Sequence, residues 1–167
     1  MYAAQCLGGV PVPLYQDAVA AEMVFVLQDA GIKFAIVEDQ EHVDKLLENM
    51  SQCPDLQHIL YDDPRGLRHY NQAFLHGLDE VQEMGRIHNR NHPEFLDGEI
   101  ELGKSDDVAV MLYTSGTTGK PKGVCQTHGA FIAAAQSGCE FDRLGADDNI
   151  LSYLPMAWVG DPLFSFA

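Results

Sequence analysis

Three apolar runs set the rhythm of this chain: IKFAIVE at 32–38, HILYDD at 58–63 and DDVAVMLYT at 106–114. The first is apolar on both faces, the pattern of a buried parallel strand. Between and before the runs the period changes from two to about 3.6. Val19, Met23, Val26, Leu27 and Ala30 fall on one helical face, with Asp17 as the expected cap and Gly31 as the expected stop. Asp39 opens a second helix whose inward face is Val43, Leu46, Leu47 and Met50. Residues 1–7 read as the last turns of a helix ended by Gly8 or Gly9, and GVPVPLY then runs extended because its prolines forbid helix. Strand, helix and strand in succession predict an α/β fold with a parallel sheet. Residues 64–105 read as surface and connector with one helix near 78–90. Further on, GVCQTH (123–128) is a returning strand, 129–142 a helix of small residues and NILSYLP (149–155) another strand.

Composition narrows the class. With 167 residues, 46% hydrophobic and 21% charged, the chain is globular, one domain or a large piece of one. No apolar run nears the roughly 20 residues that span a bilayer, and MYAAQCLGGVPVP lacks the basic and apolar regions of a signal peptide. The reading is a soluble, cytoplasmic protein. A net charge of −15 repels nucleic acid and anionic membranes, so neither is an expected partner. Cys6, Cys53, Cys125 and Cys139 show no paired spacing and read as reduced, mostly buried thiols. His88 and His92 share a helical i, i+4 spacing, but Pro93 follows at once and no carboxylate or thiolate completes a set, so a solvated helix end is expected there.

Against so acidic a background, two of the five lysines sit in one stretch, YTSGTTGKPKGV at 113–124. It is not a P-loop: counting back from Gly119 and Lys120 puts Thr114 where the leading glycine belongs, and Pro121 follows the lysine. The GxGxxG dinucleotide fingerprint is absent as well. The stretch still suits an anion. Gly116 and Gly119 allow the backbone to expose N–H groups as a nest, and Thr114, Ser115, Thr117 and Thr118 add hydroxyls. Lys120 and Lys122 add charge, each charge-assisted hydrogen bond contributing roughly 1.5–3 kcal/mol. Pro121 stiffens the exit and prevents an immediate helix, so the loop joins strand to strand. A plain hairpin turn is the bland alternative, yet a hairpin needs only two to five residues.

YTSGTTGKPKGV resembles the signature loop of the AMP-forming adenylate synthetases, the superfamily of acyl-CoA synthetases, luciferase and peptide-synthetase adenylation domains. CLGGVPVPLY (6–15), DDVAVMLYTSGTTG and LSYLPMAW (151–158) extend the resemblance over the whole chain, in wording closest to bacterial long-chain fatty acyl-CoA ligases. The resemblance implies the parallel-sheet portion of that family's large N-terminal domain, so 1–167 would be a partial AMP-binding domain without the C-terminal lid. It implies activation of a carboxylic acid with ATP to an acyl-adenylate, then transfer to coenzyme A. By position, Thr114, Ser115, Gly116, Thr117, Thr118, Gly119 and Lys120 would hold the β- and γ-phosphates, with Lys122 a weaker candidate. Thr114 would also reach Mg²⁺. Trp158 stands where many relatives carry histidine, either as a wall of the acyl tunnel or as an aromatic core anchor.

The family's later motifs for adenine, ribose and the magnesium-binding glutamate do not occur here. Asp161 and Pro162 read as a helix start close to Ala167, and Met1 falls within a helix without a cap, so the chain reads as truncated at both ends. The 167 residues alone are expected to be inactive, with ATP, a fatty acid and coenzyme A as partners of the parent and peripheral membrane contact open to it. Two alternatives remain: a ligase for an aryl, medium-chain or amino acid, and a non-catalytic nucleotide-binding protein.

Overall fold

The computed structural model describes residues 1–114, 120–145, 147–149, 151, 154–155 and 157–158. The chain divides into two compact units, Ala18–Phe95 and the remainder. It begins with a short helix, α1 (Tyr2–Gln5). Gly8 ends it at φ 69°, with Gly9 N–H donating to Ala4 C=O and Gly8 N–H to Gln5 C=O. That pair of bonds is a Schellman stop, which a residue without Cβ accepts at no steric cost.

In the Ala18–Phe95 unit, α2 (Ala20–Asp29) is capped by Val19 without any side-chain bond. The expectation of Asp17 as cap is corrected. Its carboxylate lies two residues upstream of the cap position, where it cannot meet the first helical N–H groups as a capping side chain does. Gly31 stops α2 as expected, at φ 59° with a second Schellman pair to Leu27 and Gln28. β1 (Phe34–Val37) follows, then α3 (Gln40–Asn49), whose cap Asp39 accepts from His42 N–H at 3.3 Å. β2 (His58–Tyr61) and β3 (Leu75–Gly77) complete a parallel sheet in the order β1-β2-β3. The register sets Phe34 opposite His58 and Leu60 opposite His76.

Val26, Val43 and Ile59 are at most 1% exposed and centre the core of this unit, with Met23, Leu27 and Leu46 around them. Fully burying each such side chain contributes about 1.5–3 kcal/mol. Sequence reading expected β1 to be buried on both faces. Instead Phe34 and Ile36 are 60% and 68% exposed, because β1 is an edge strand whose second face no described element covers. The 64–105 stretch holds the expected helix as α4 (Leu78–Asn91), and also β3 and α5 (Phe95–Glu101), which composition did not reveal. Three residues of strand, LHG, carry no periodicity of their own; β2 holds them in place. His92 is the terminal cap of α4, as the following proline implied.

The remaining unit is built on β4 (Val108–Thr114) and β5 (Lys122–Thr127), an antiparallel pair, followed by α6 (His128–Asp142). Thr127 caps α6, accepting from Ala130 N–H at 3.2 Å. The cysteines correct one expectation. Only Cys53 is buried; Cys6 and Cys139 are half-buried and Cys125 is exposed on β5. Of the expected strand at 149–155, the described residues 149, 151, 154 and 155 are not in a strand and the others lie outside the described residues, as does the helix start at Asp161 and Pro162.

Candidate phosphate-binding hairpin

β4 carries the motif because its own sequence anchors it firmly. Ala109, Val110 and Leu112 are 2%, 1% and 5% exposed, and only the last residue, Thr114, is exposed. One edge pairs with β5. Against the other, Met111 N–H donates to Pro11 C=O at 3.1 Å, and Gln5 Nε2 donates to Ala109 C=O at 2.7 Å. The Gln5 side chain from α1 and one backbone bond from the extended segment thus tie the second edge of β4. A loop hung from a strand held on both edges starts from a defined place.

The register then decides which motif residues meet. Thr114 stands opposite Lys122, and Tyr113 opposite Gly123. Directly opposed residues in an antiparallel pair share a face, so Thr114 and Lys122 project from the same face of the hairpin at the mouth of the loop. Both are exposed, next along the face from the buried Leu112 and the exposed Val124. Lys120 is exposed just before Pro121. Ser115, Gly116, Thr117, Thr118 and Gly119 lie outside the described residues. Described strands flank the loop on both sides, so it does not run directly into a helix N-terminus as a P-loop does. Trp158 is 50% exposed, its backbone N–H donating to Pro155 C=O at 2.9 Å.

Sequence reasoning passed over Gly123. A Cβ built there would come within 3.0 Å of Met111 Sδ and 3.2 Å of Tyr113 Cζ. These two side chains lean across the glycine from β4, so a side chain at position 123 would displace them. A glycine inside an otherwise regular strand was the available signal.

Comparison with known proteins places these observations. The family of AMP-binding enzymes matches residues 1–166. A mouse long-chain-fatty-acid–CoA ligase, ACSBG2, is 32% identical over 161 residues, covering 93% of this chain and 23% of its own length. FadD15 of Mycobacterium bovis, also a long-chain-fatty-acid–CoA ligase, is 28% identical over 160 residues, covering 95% of this chain and 25% of its own. The chain therefore spans about a quarter of the length of these relatives. Among solved structures, a long-chain-fatty-acid–CoA ligase from Archaeoglobus fulgidus superposes with a TM-score of 0.65 at 20% identity, over 97% of this chain and 29% of that one. That likeness is one of fold. With a match running almost end to end and the glycine- and threonine-rich hairpin inside it, the chain belongs to the AMP-binding enzymes.

Proposed function

We propose that this chain forms the triphosphate-gripping part of an AMP-forming ligase that activates long-chain fatty acids and passes them to coenzyme A. The observation that carries the reading is the pairing of Thr114 with Lys122 where the motif leaves its strands. The fatty-acid assignment draws on the relatives, whose printed activity is that of long-chain-fatty-acid–CoA ligases.

In the first step a carboxylate oxygen attacks the α-phosphorus of ATP, and the bond to pyrophosphate breaks. Negative charge gathers on the departing group. Donors already aimed at it lower that barrier without reorganising. Lys122 and Thr114 supply one charged and one neutral donor from the strand ends, and Lys120 with Ser115, Gly116, Thr117, Thr118 and Gly119 supplies the loop's share. In the second step the thiol sulfur of coenzyme A attacks the acyl carbonyl, and the bond to AMP breaks.

Mg²⁺ prefers oxygen ligands and keeps several waters. Thr114 offers it one hydroxyl, and among the described residues no group of three or more histidines, cysteines, aspartates or glutamates gathers to hold an ion. The rest of its shell would come from phosphate oxygens, water and ligands outside these residues, and its chemistry would be charge neutralisation. Trp158, half open, is assigned to the wall of the acyl site. Among the described residues no helix is long and apolar enough to cross a membrane. We place the reaction in the cytoplasm, with any membrane contact peripheral.

ATP–pyrophosphate exchange by the full-length protein tests the grip. Lys122→Ala and Lys120→Ala are each expected to slow exchange, Lys122→Ala by about 10²-fold or more, as loss of one preorganised donor does elsewhere. Half-saturation for the acid should stay nearly unchanged. Exchange at the parental rate in both variants would remove the loop's role. A panel of aryl, medium-chain, long-chain and amino acids then reads the acid class.

A further inference from the structure

We propose that His58 and His76 form a two-imidazole site for a borderline divalent transition ion such as Zn²⁺. The two residues stand on adjacent parallel strands, β2 and β3, on the same face of the sheet. His58 Nδ1 lies 3.1 Å from His76 Nε2, with the ring centroids 5.2 Å apart and the planes tilted by 43°. Phe34 stacks on His58 at 5.3 Å and 16°, steadying that ring. Both histidines are half-buried, on the face where Phe34 and Ile36 leave the sheet open.

A hydrogen bond between two imidazoles needs one N–H and one lone pair at the contact. That spacing is also the span of two nitrogens on one ion. With metal–nitrogen bonds of about 2.0–2.1 Å, a 3.1 Å separation closes an angle of roughly 100°. The angle falls between square-planar and tetrahedral geometry, which suits Zn²⁺, Cu²⁺ and Ni²⁺. Histidine χ2 is a broad torsion, so modest ring rotations turn both lone pairs toward a common point.

The proton count closes without an added reagent. The ring that donates in the hydrogen bond moves its proton through solvent to its other nitrogen, so both rings stay neutral and no net proton is released. Among the described residues no third histidine, cysteine, aspartate or glutamate joins the pair, so water completes the coordination. The predicted site is therefore exchangeable, unlike a closed structural zinc.

Zn²⁺ alone is the probe, titrated into the full chain. One equivalent should shift His58 Nδ1 and His76 Nε2 in long-range ¹H–¹⁵N spectra. By calorimetry, His58→Gln and His76→Gln should each weaken binding by about tenfold or more, as losing one of two linked ligands demands. His88→Gln, at the other histidine pair, should leave it unchanged. If Zn²⁺ leaves those two nitrogens unmoved, or binds either glutamine variant as tightly as the parent, the site does not exist. The spectra use the unsubstituted chain, so they decide the question even where a variant fails to fold.

Discussion

Gly66 sits at φ 84°, and a Cβ there would run into Gln40 Oε1 on α3. Gln40 Nε2 donates to the Tyr70 hydroxyl at 3.0 Å, which donates to Asp44 Oδ1 at 2.5 Å. The bond to Asp44 is also the main reason that the Tyr70 phenol is held above its ordinary range. Gly66→Ala thus strains the backbone and displaces the first member of a three-residue network. Gly31 shares the left-handed φ but has open space around it. Gly31→Ala should cost about 1–2 kcal/mol, the left-handed penalty alone, and Gly66→Ala more, up to about 3 kcal/mol. Urea midpoints of the two variants check this. An equal loss in both would mean that the loop's docking on α3 contributes nothing.

At the scale of elements, the sheet of the Ala18–Phe95 unit is filled on the face of Ile59, while its other face covers Leu60 but leaves the β1 residues Phe34 and Ile36 open. Ile59 is fully buried and Ile36 is 68% exposed. Ile59→Ala should lose about 2–5 kcal/mol. Ile36→Ala should stay within about 0.5 kcal/mol, as surface changes do. Denaturation of the two variants tells whether the faces are assigned correctly. The start of α3 adds a pH signature. Side-chain and backbone hydrogen bonds from His42 hold the Asp39 carboxyl below the usual aspartate range. A depressed folded pKa contributes stability above the unfolded pKa, and that contribution is lost as pH falls through the folded one. Asp39→Ala should therefore lower Tm at neutral pH, and the difference should vanish only in strong acid, below the ordinary aspartate range. The cap and the Gly31 stop were legible beforehand because each is written within four residues. The cap of α2 was misread because Asp17 matched the residue type of a cap without occupying the position.

For the whole molecule, charge is the dominant long-range quantity. The sequence pI is about 4.5 and the net charge −15. Phe34, Ile36 and Phe141 add exposed apolar surface. As carboxylates protonate, repulsion between molecules fades and these side chains can associate. Solubility, followed by light scattering across pH, should pass through a minimum near pH 4.5. A flat profile would mean that charge does not keep the molecules apart.

What the sequence determined by itself was local: the alternation of strands and helices, the glycine stops at 8 and 31, and the hydroxyl- and lysine-rich loop at 114–122. Periodicity and turn chemistry act over a few residues, so they are readable in order along the chain. Tertiary structure alone decided that β1 lies at an edge, that LHG becomes β3, and that Thr114 faces Lys122. It alone brought His58 and His76 within bonding distance. Each of these depends on register between segments separated along the chain, and strand pairing is set by how whole faces bury against one another.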